Sequence, residues 1–245
     1  MDRLVYLATS SAGQDRVMET SLANNLANAD TIGFKSDKVS FKSLYLTGGA
    51  KSVRVYSKAD ANGVDTTDGA VENTSAPLDI ALRGNAWLSV TTPQGLKGYV
   101  HSASMHVDSS GVLKTEEGFT VNSANGSNIT VPPGQSVSID KTGSVNVIQN
   151  GVLSAINQLQ LNTLPTDYVF KDQAGLIQVS AAHSGGVGSV SKPSVLSGAL
   201  ERSNVSPVEM LVKMMDLSRQ YEANINEIST AKKTDSAANE LLDVR

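Results

Sequence analysis

The sequence predicts an α+β fold in which N- and C-terminal helices pack as an axial coiled-coil-like domain, with a central antiparallel β-rich domain between them in the chain. Three observations carry that reading. Apolar residues recur at three- and four-residue steps at both ends, short runs with a period of two fill the middle, and turn signals punctuate those runs at nearly even spacing.

The first element is a helix from about Arg3 to Asn28, a stretch without proline and with Gly13 as its one glycine; Leu4, Leu7, Ala8, Met18, Leu22 and Leu26 make its apolar stripe. Ser11, Gln14, Ser21 and Asn25 share that seam, so the helix buries too little to stand alone and needs a partner. Asparagine frays helices and prefers their ends, so Asn24, Asn25 and Asn28 mark the stop, and Gly33 sits where a chain leaving a helix often needs a left-handed residue. Residues 1–35 are therefore read as the N-terminal helix of the axial domain. Residues 36–75, rich in Ser, Asp, Thr, Gly and Lys, read as an extended linker with room for one hairpin.

Residues 76–200 read as the central β-domain. Leu78, Ile80 and Leu82 alternate with Asp79, Ala81 and Arg83, and Trp87, Leu88 and Val90 begin a strand that stops at Pro93-Gln94-Gly95. Turn signals follow at Gly111, Gly118, Gly126, Gly134, Gly143 and Gly151, with runs such as Phe119–Val121, Ile129–Val131, Val137–Ile139 and Val145–Val147 between them. Strands this short at this spacing indicate a compact antiparallel domain. A polar, glycine-rich joint at His183–Gly188 leads out of it.

Residues 201–245 carry the C-terminal helix. Ser206 is its cap, Pro207 takes the first helical position, and Glu209 can reach back to the cap. Leu211, Met214, Ser218, Tyr221, Ile225, Ile228 and Ala231 then form a seam at heptad spacing.

Composition narrows the function. A net charge of −4 gives no basic field for a nucleic-acid backbone, and no segment has the roughly 20 apolar residues that cross a bilayer. The absence of cysteine excludes disulfides and thiolate chemistry. Met1–Ala8 is followed by Ser10, Ser11, Gln14 and Asp15, leaving no apolar stretch of secretory-signal length, so a route of exit that cleaves nothing is expected. His101, His106 and His183 read as solvated surface histidines; the first two lie five apart and face opposite ways on a strand, unable to share a metal. Gly185-Gly186-Val187-Gly188 precedes neither Lys nor a helix, and no Gly-x-Ser-x-Gly elbow occurs. No catalytic, cofactor or metal site is assigned.

Taken together, Ala23-Asn24-Asn25-Leu26-Ala27-Asn28 with Gly33-Phe34-Lys35, and Ser203-Asn204-Val205 before the last helix, resemble the N- and C-terminal signatures of the bacterial flagellar basal-body rod and hook family. Thr74–Leu82 with Trp87–Val90 resembles the opening of that family's β-domain. Gly98-Tyr99 resembles its next hairpin, although Val100-His101 stands where an arginine is usual. The length and the Met1-Asp2-Arg3-Leu4 start favour a proximal over a distal rod subunit. The resemblance implies a structural building block of the rod, not an enzyme. It implies self-assembly through the terminal helices into the drive shaft from rotor to hook, with other copies and other rod proteins as partners. It also implies a place in the periplasmic part of the basal body, reached unfolded through the flagellar type III export apparatus, without insertion into the membrane. Asn24, Asn25, Leu26, Asn28, Gly33, Phe34, Ser203, Asn204 and Val205 are carried over as assembly residues, with Leu211, Met214, Tyr221, Ile225 and Ile228 as the helix seam. A distal rod or other axial subunit is the alternative within the family. A secreted β-rich adhesin is the alternative outside it, against which the missing signal counts; a carbohydrate-active enzyme is disfavoured by the single tryptophan.

Overall fold

The computed structural model describes residues 2–46, 54–149, 152–172, 174–190 and 193–243, which fall into two compact units. One holds residues 1–27, 37–62 and 206–245, and the other residues 28–36 and 63–205. Among the described residues the secondary structure is mostly β: eighteen strands, nearly all short, against two α-helices, α1 (Asp2–Ala27) and α2 (Pro207–Asp243).

In the first unit α1 packs against α2 and against the strand Asp37–Leu46, which pairs with Arg54–Val64 in a two-stranded sheet. The expected coiled-coil-like axial domain is not what these helices form. Coiled-coil packing needs large apolar knobs in register, whereas among the described side chains of α1 the buried ones are Ala8, Ala12, Asp15, Ser21, Leu22 and Asn25. Among the described side chains of α2 the buried ones are Met210, Leu217 and Ala231, while Leu211, Tyr221 and Ile225 stay 49%, 37% and 42% exposed. Met214 and Ile228 are half-buried. Polar pairing replaces the missing knobs, Asn224 Nδ2 donating to the Asp15 carboxylate at 2.7 Å. The side chains of Leu4 and Leu7 lie outside the described residues. The start of α2 follows its sequence signal, Ser206 Oγ accepting from the Glu209 amide at 3.5 Å.

The second unit is built on an antiparallel sheet of eleven strands, extended by the small sheets Val137–Ile139/Ser144–Gln149/Val152–Gln158 and Val71–Asn73/Ala199–Glu201. Its core is aliphatic, as the low aromatic content requires, with Ile80, Leu88, Val90, Leu113, Ile129 and Val145 fully enclosed. Trp87 anchors a second cluster with Val64, Leu164, Val169 and Ile177. Val195–Ser197 pairs with Ile80–Leu82 at the edge of the large sheet, and Ala199–Glu201, the last strand before α2, pairs with Val71–Asn73.

One local device recurs six times. At residues 92–96, 108–112, 115–119, 123–127, 140–144 and 172–176 a Thr, Asp or Ser starts a five-residue turn and accepts on its backbone carbonyl from a glycine three positions on, at 2.7–3.1 Å. Each of those glycines has φ between +77° and +85°. This is the type I turn closed by a left-handed bulge residue that joins twisted strands. In three of them an aspartate, Asp108, Asp140 or Asp172, also accepts from the amides two and four positions on. Donation from Lys114 and from Ser110 holds the Asp108 carboxyl well below the usual carboxylate range. In the run Ile129–Val131 the two aliphatic residues are buried, but it forms only an isolated bridge, Val112 to Thr130, because Pro132-Pro133 ends it before a ladder can grow.

The burial difference along α2 gives a direct check. Leu217→Asp should melt the helical unit by placing a charge in a buried contact, while Leu211→Asp should leave monomer stability within about 0.5 kcal/mol. Urea unfolding of the two variants, followed by helical circular dichroism, distinguishes them.

Candidate functional site

The segment after α1 and the segment before α2, distant in sequence, are fastened together inside the β unit. Gly33 donates its amide to the Glu201 carbonyl at 2.7 Å, and Asn204 donates its amide to the Phe34 carbonyl at 3.3 Å. The Asn204 side chain completes the join: Oδ1 accepts from the Ser36 amide at 2.7 Å and Nδ2 donates to the carbonyls of Asp65 and Thr67 at 3.0 and 3.2 Å. Gly33 has φ +65°, and a Cβ there would meet the Ser102 carbonyl at 3.1 Å, so both conformation and space select glycine.

A buried ion pair lies under these bonds. Lys35 and Glu201, each with a side chain 1% exposed, meet at 2.8 Å between Nζ and Oε1. Lys35 Nζ also donates to the Thr67 carbonyl at 2.9 Å, and Glu201 Oε1 accepts from the Gly69 amide at 2.5 Å. The other carboxylate oxygen, Oε2, takes a short contact from His101 Nδ1, while His101 Nε2 faces the Gly84 carbonyl at 2.9 Å. Trp87 packs edge-on against the imidazole with centroids 4.9 Å apart. Burial by itself would raise the Glu201 pKa, but the donors from His101, Lys35 and Gly69 outweigh it and hold the carboxyl below its ordinary 4.5. His101 is thus not the solvated surface histidine expected from its strand position; it is fully enclosed, and only His106 and His183 reach solvent.

Asp68, His101 and Glu201 bring their ligand atoms within 4.8 Å of one another, the one such group among the described residues. The place of a cation is taken by Lys35, whose ammonium stands 2.8 Å from Glu201 and 3.8 Å from Asp68. The donor set therefore fits an internal ammonium rather than a metal. A cavity of about 420 Å³ opens beside Asp68, Gly84 and Trp87.

The remaining candidate residues divide between the units. In the helical unit Asn25 clamps the backbone of Asp37 as a strand would, donating from Nδ2 to its carbonyl at 3.0 Å and accepting on Oδ1 from its amide at 2.7 Å. Asn24 is exposed and donates to the Asp37 carboxylate at 2.5 Å, and Leu26 is half-buried. In the β unit Asn28 Oδ1 accepts from Thr31 Oγ1 at 3.1 Å, and the Phe34 ring lies 3.4 Å beneath Lys171 Nζ. Ser203 Oγ accepts from the Val205 amide at 3.2 Å and Val205 is buried. Arg202 links the surface by pairing with Asp30 and Glu72 at 3.0 Å. Lys35, His101, Glu201 and Asp37 were not among the sequence candidates. Lys35 ended the quoted N-terminal motif, and His101 stood at the one noted departure from the family pattern.

Glu201→Gln should cost on the order of 3 kcal/mol, because it leaves the Lys35 ammonium buried without its counter-charge. Folding lowers the Glu201 pKa, so its contribution is whole above pH 4.5 and is lost as acid carries the pH down through the folded value. Acid unfolding of the variant should therefore be flatter below pH 4.5 than that of the parent chain. Separately, Asn25→Ala should destabilise the helical unit by about 2 kcal/mol through its two lost backbone bonds, and Asn24→Ala by less than about 0.5 kcal/mol; helical melting temperatures check both.

Comparison with known proteins places the chain in a family. Residues 81–147 match the family model described as the flagellar hook protein FlgE/F/G D1 domain, and residues 196–241 match that of the flagellar basal body rod FlgEFG protein C-terminal region. The flagellar basal-body rod proteins FlgF of Salmonella typhimurium LT2 and of Escherichia coli K12 are each 31% identical to the chain, over the full length of both partners. The rod protein FlgG of Bacillus subtilis 168 is 26% identical, also over the full length of both. With terminal signatures, β-domain and full-length relatives in agreement, the chain belongs to the flagellar basal-body rod protein family.

Proposed function

We infer that this chain works as a load-bearing piece rather than a catalyst, and the carrying observation is its buried clasp between the two terminal motifs. Family membership makes it a structural subunit of the flagellar basal-body rod. Within the rod the proximal position is favoured, since the two 31% relatives are FlgF proteins and the FlgG relatives stand at 26–27%. Its neighbours are other copies of itself and other rod and hook proteins. Its route of exit is assigned to the flagellar type III export apparatus.

The contacts with neighbours are assigned to the outward side of α2. Val208, Leu211, Val212 and Met215 are 49–72% exposed and recur at the steps of one helical face, with Ile225 further along. Apolar surface on this scale marks a site of association. Residues buried in the monomer hold the two helices together, whereas these keep about half or more of their surface open to solvent.

The test is incorporation. Basal bodies purified from cells expressing Leu211→Asp with Ile225→Asp should lack the chain, although the variant is made and its β unit is folded. Incorporation at the parent level would show that this face does not meet a neighbour.

A further inference from the structure

We propose that the β unit carries a peptide-binding groove that accepts the Gly33-Phe34-Lys35 segment in trans, from a second copy of the chain, as well as in cis. The inference rests on the clasp geometry and is independent of the rod reading.

Residues 28–36 are lodged in the β unit, while the chain on both sides of them, residues 1–27 and 37–62, belongs to the helical unit. The segment forms no strand and joins no sheet ladder. It is held as a bound peptide is held, by a few directed contacts in separate subsites. Backbone bonds at Gly33, Phe34 and Ser36 fix its course. The glycine is selected by the left-handed conformation and by Ser102. The aromatic ring lies beneath the Lys171 ammonium. The lysine enters a fully enclosed site whose counter-charge, Glu201, is already held by Gly69 and His101.

Those subsites define the ligand: an extended peptide with glycine, an aromatic residue and lysine in succession. Lysine carries most of the selectivity, since an uncharged substitute would leave Glu201 buried among donors built for an ammonium partner. A second copy of the chain presents the same sequence, so one copy's segment can seat in another's groove whenever the resident segment is displaced.

The experiment uses the full-length chain carrying Lys35→Ala, titrated with a synthetic peptide of residues 28–36. Binding is read by calorimetry and by emission of Trp87, the single tryptophan, whose ring lies 5.9 Å from the position of Lys35 Nζ. Saturable binding is expected, weakened about a hundredfold or more when the peptide's lysine is replaced by methionine, with no binding to the parent chain, whose groove is filled. If Lys35→Ala leaves the β unit unfolded, the unsubstituted peptide should restore its circular dichroism and its Trp87 emission. The proposal is overturned by absence of binding or of recovery, by equal binding of the methionine peptide, or by equal binding to the parent chain.

Discussion

The Lys35–Glu201 pair is the constraint around which the β unit is organised. An ammonium and a carboxylate, both withdrawn from water, are tolerable only where every remaining donor and acceptor is matched, and here Thr67, Gly69 and His101 supply the matches. Those partners come from two further stretches of chain, residues 67–69 and the strand edge at His101. Satisfying one buried charge therefore fixes the segment after α1, the segment after the hairpin Asp37–Val64, the strand edge at His101 and the approach to α2 in a single arrangement.

The placement of the cluster explains why the two terminal motifs belong together. Residues 28–36, 63–69 and 201–205 each adjoin a point where the chain passes from one unit to the other, and inside the β unit they are bonded to one another. Asn204 alone reaches Ser36, Asp65 and Thr67. For a structural subunit this matters, because the covalent links between the helical unit and the β unit run through these segments. Unlike surface ion pairs, such as Arg202 with Asp30 and Glu72, which are screened and contribute little, the buried pair cannot be exchanged for water without leaving a charge stranded.

Much of the architecture was legible. Alternation at Leu78–Leu82 and the glycines at 95, 111, 118, 126 and 143 marked strands and turns, because period and positive φ are local properties of sequence. The start of α2 was legible for the same reason, through Ser206 and Pro207. The coiled-coil reading failed since heptad spacing fits a helix face equally well whether it meets a partner helix or solvent. Leu211 and Ile225 satisfied the spacing while Met210 and Leu217 made the contact. The clasp was hidden because a buried lysine, a buried glutamate and a buried histidine look like surface residues until long-range pairing is known. His101 in particular alternates like an exposed strand position, and only closure by Glu201, a hundred residues away, reverses that.

The most direct test is a double-mutant cycle on Lys35→Met and Glu201→Gln, with unfolding free energies of the β unit measured by urea titration of the full-length chain at neutral pH. A coupling energy of about 2 kcal/mol or more is predicted, since either single variant strands the other's charge and the double variant does not. Additivity within about 0.5 kcal/mol would contradict the account, for it would mean that the two residues stabilise the β unit independently and that the terminal motifs are not held together by this pair.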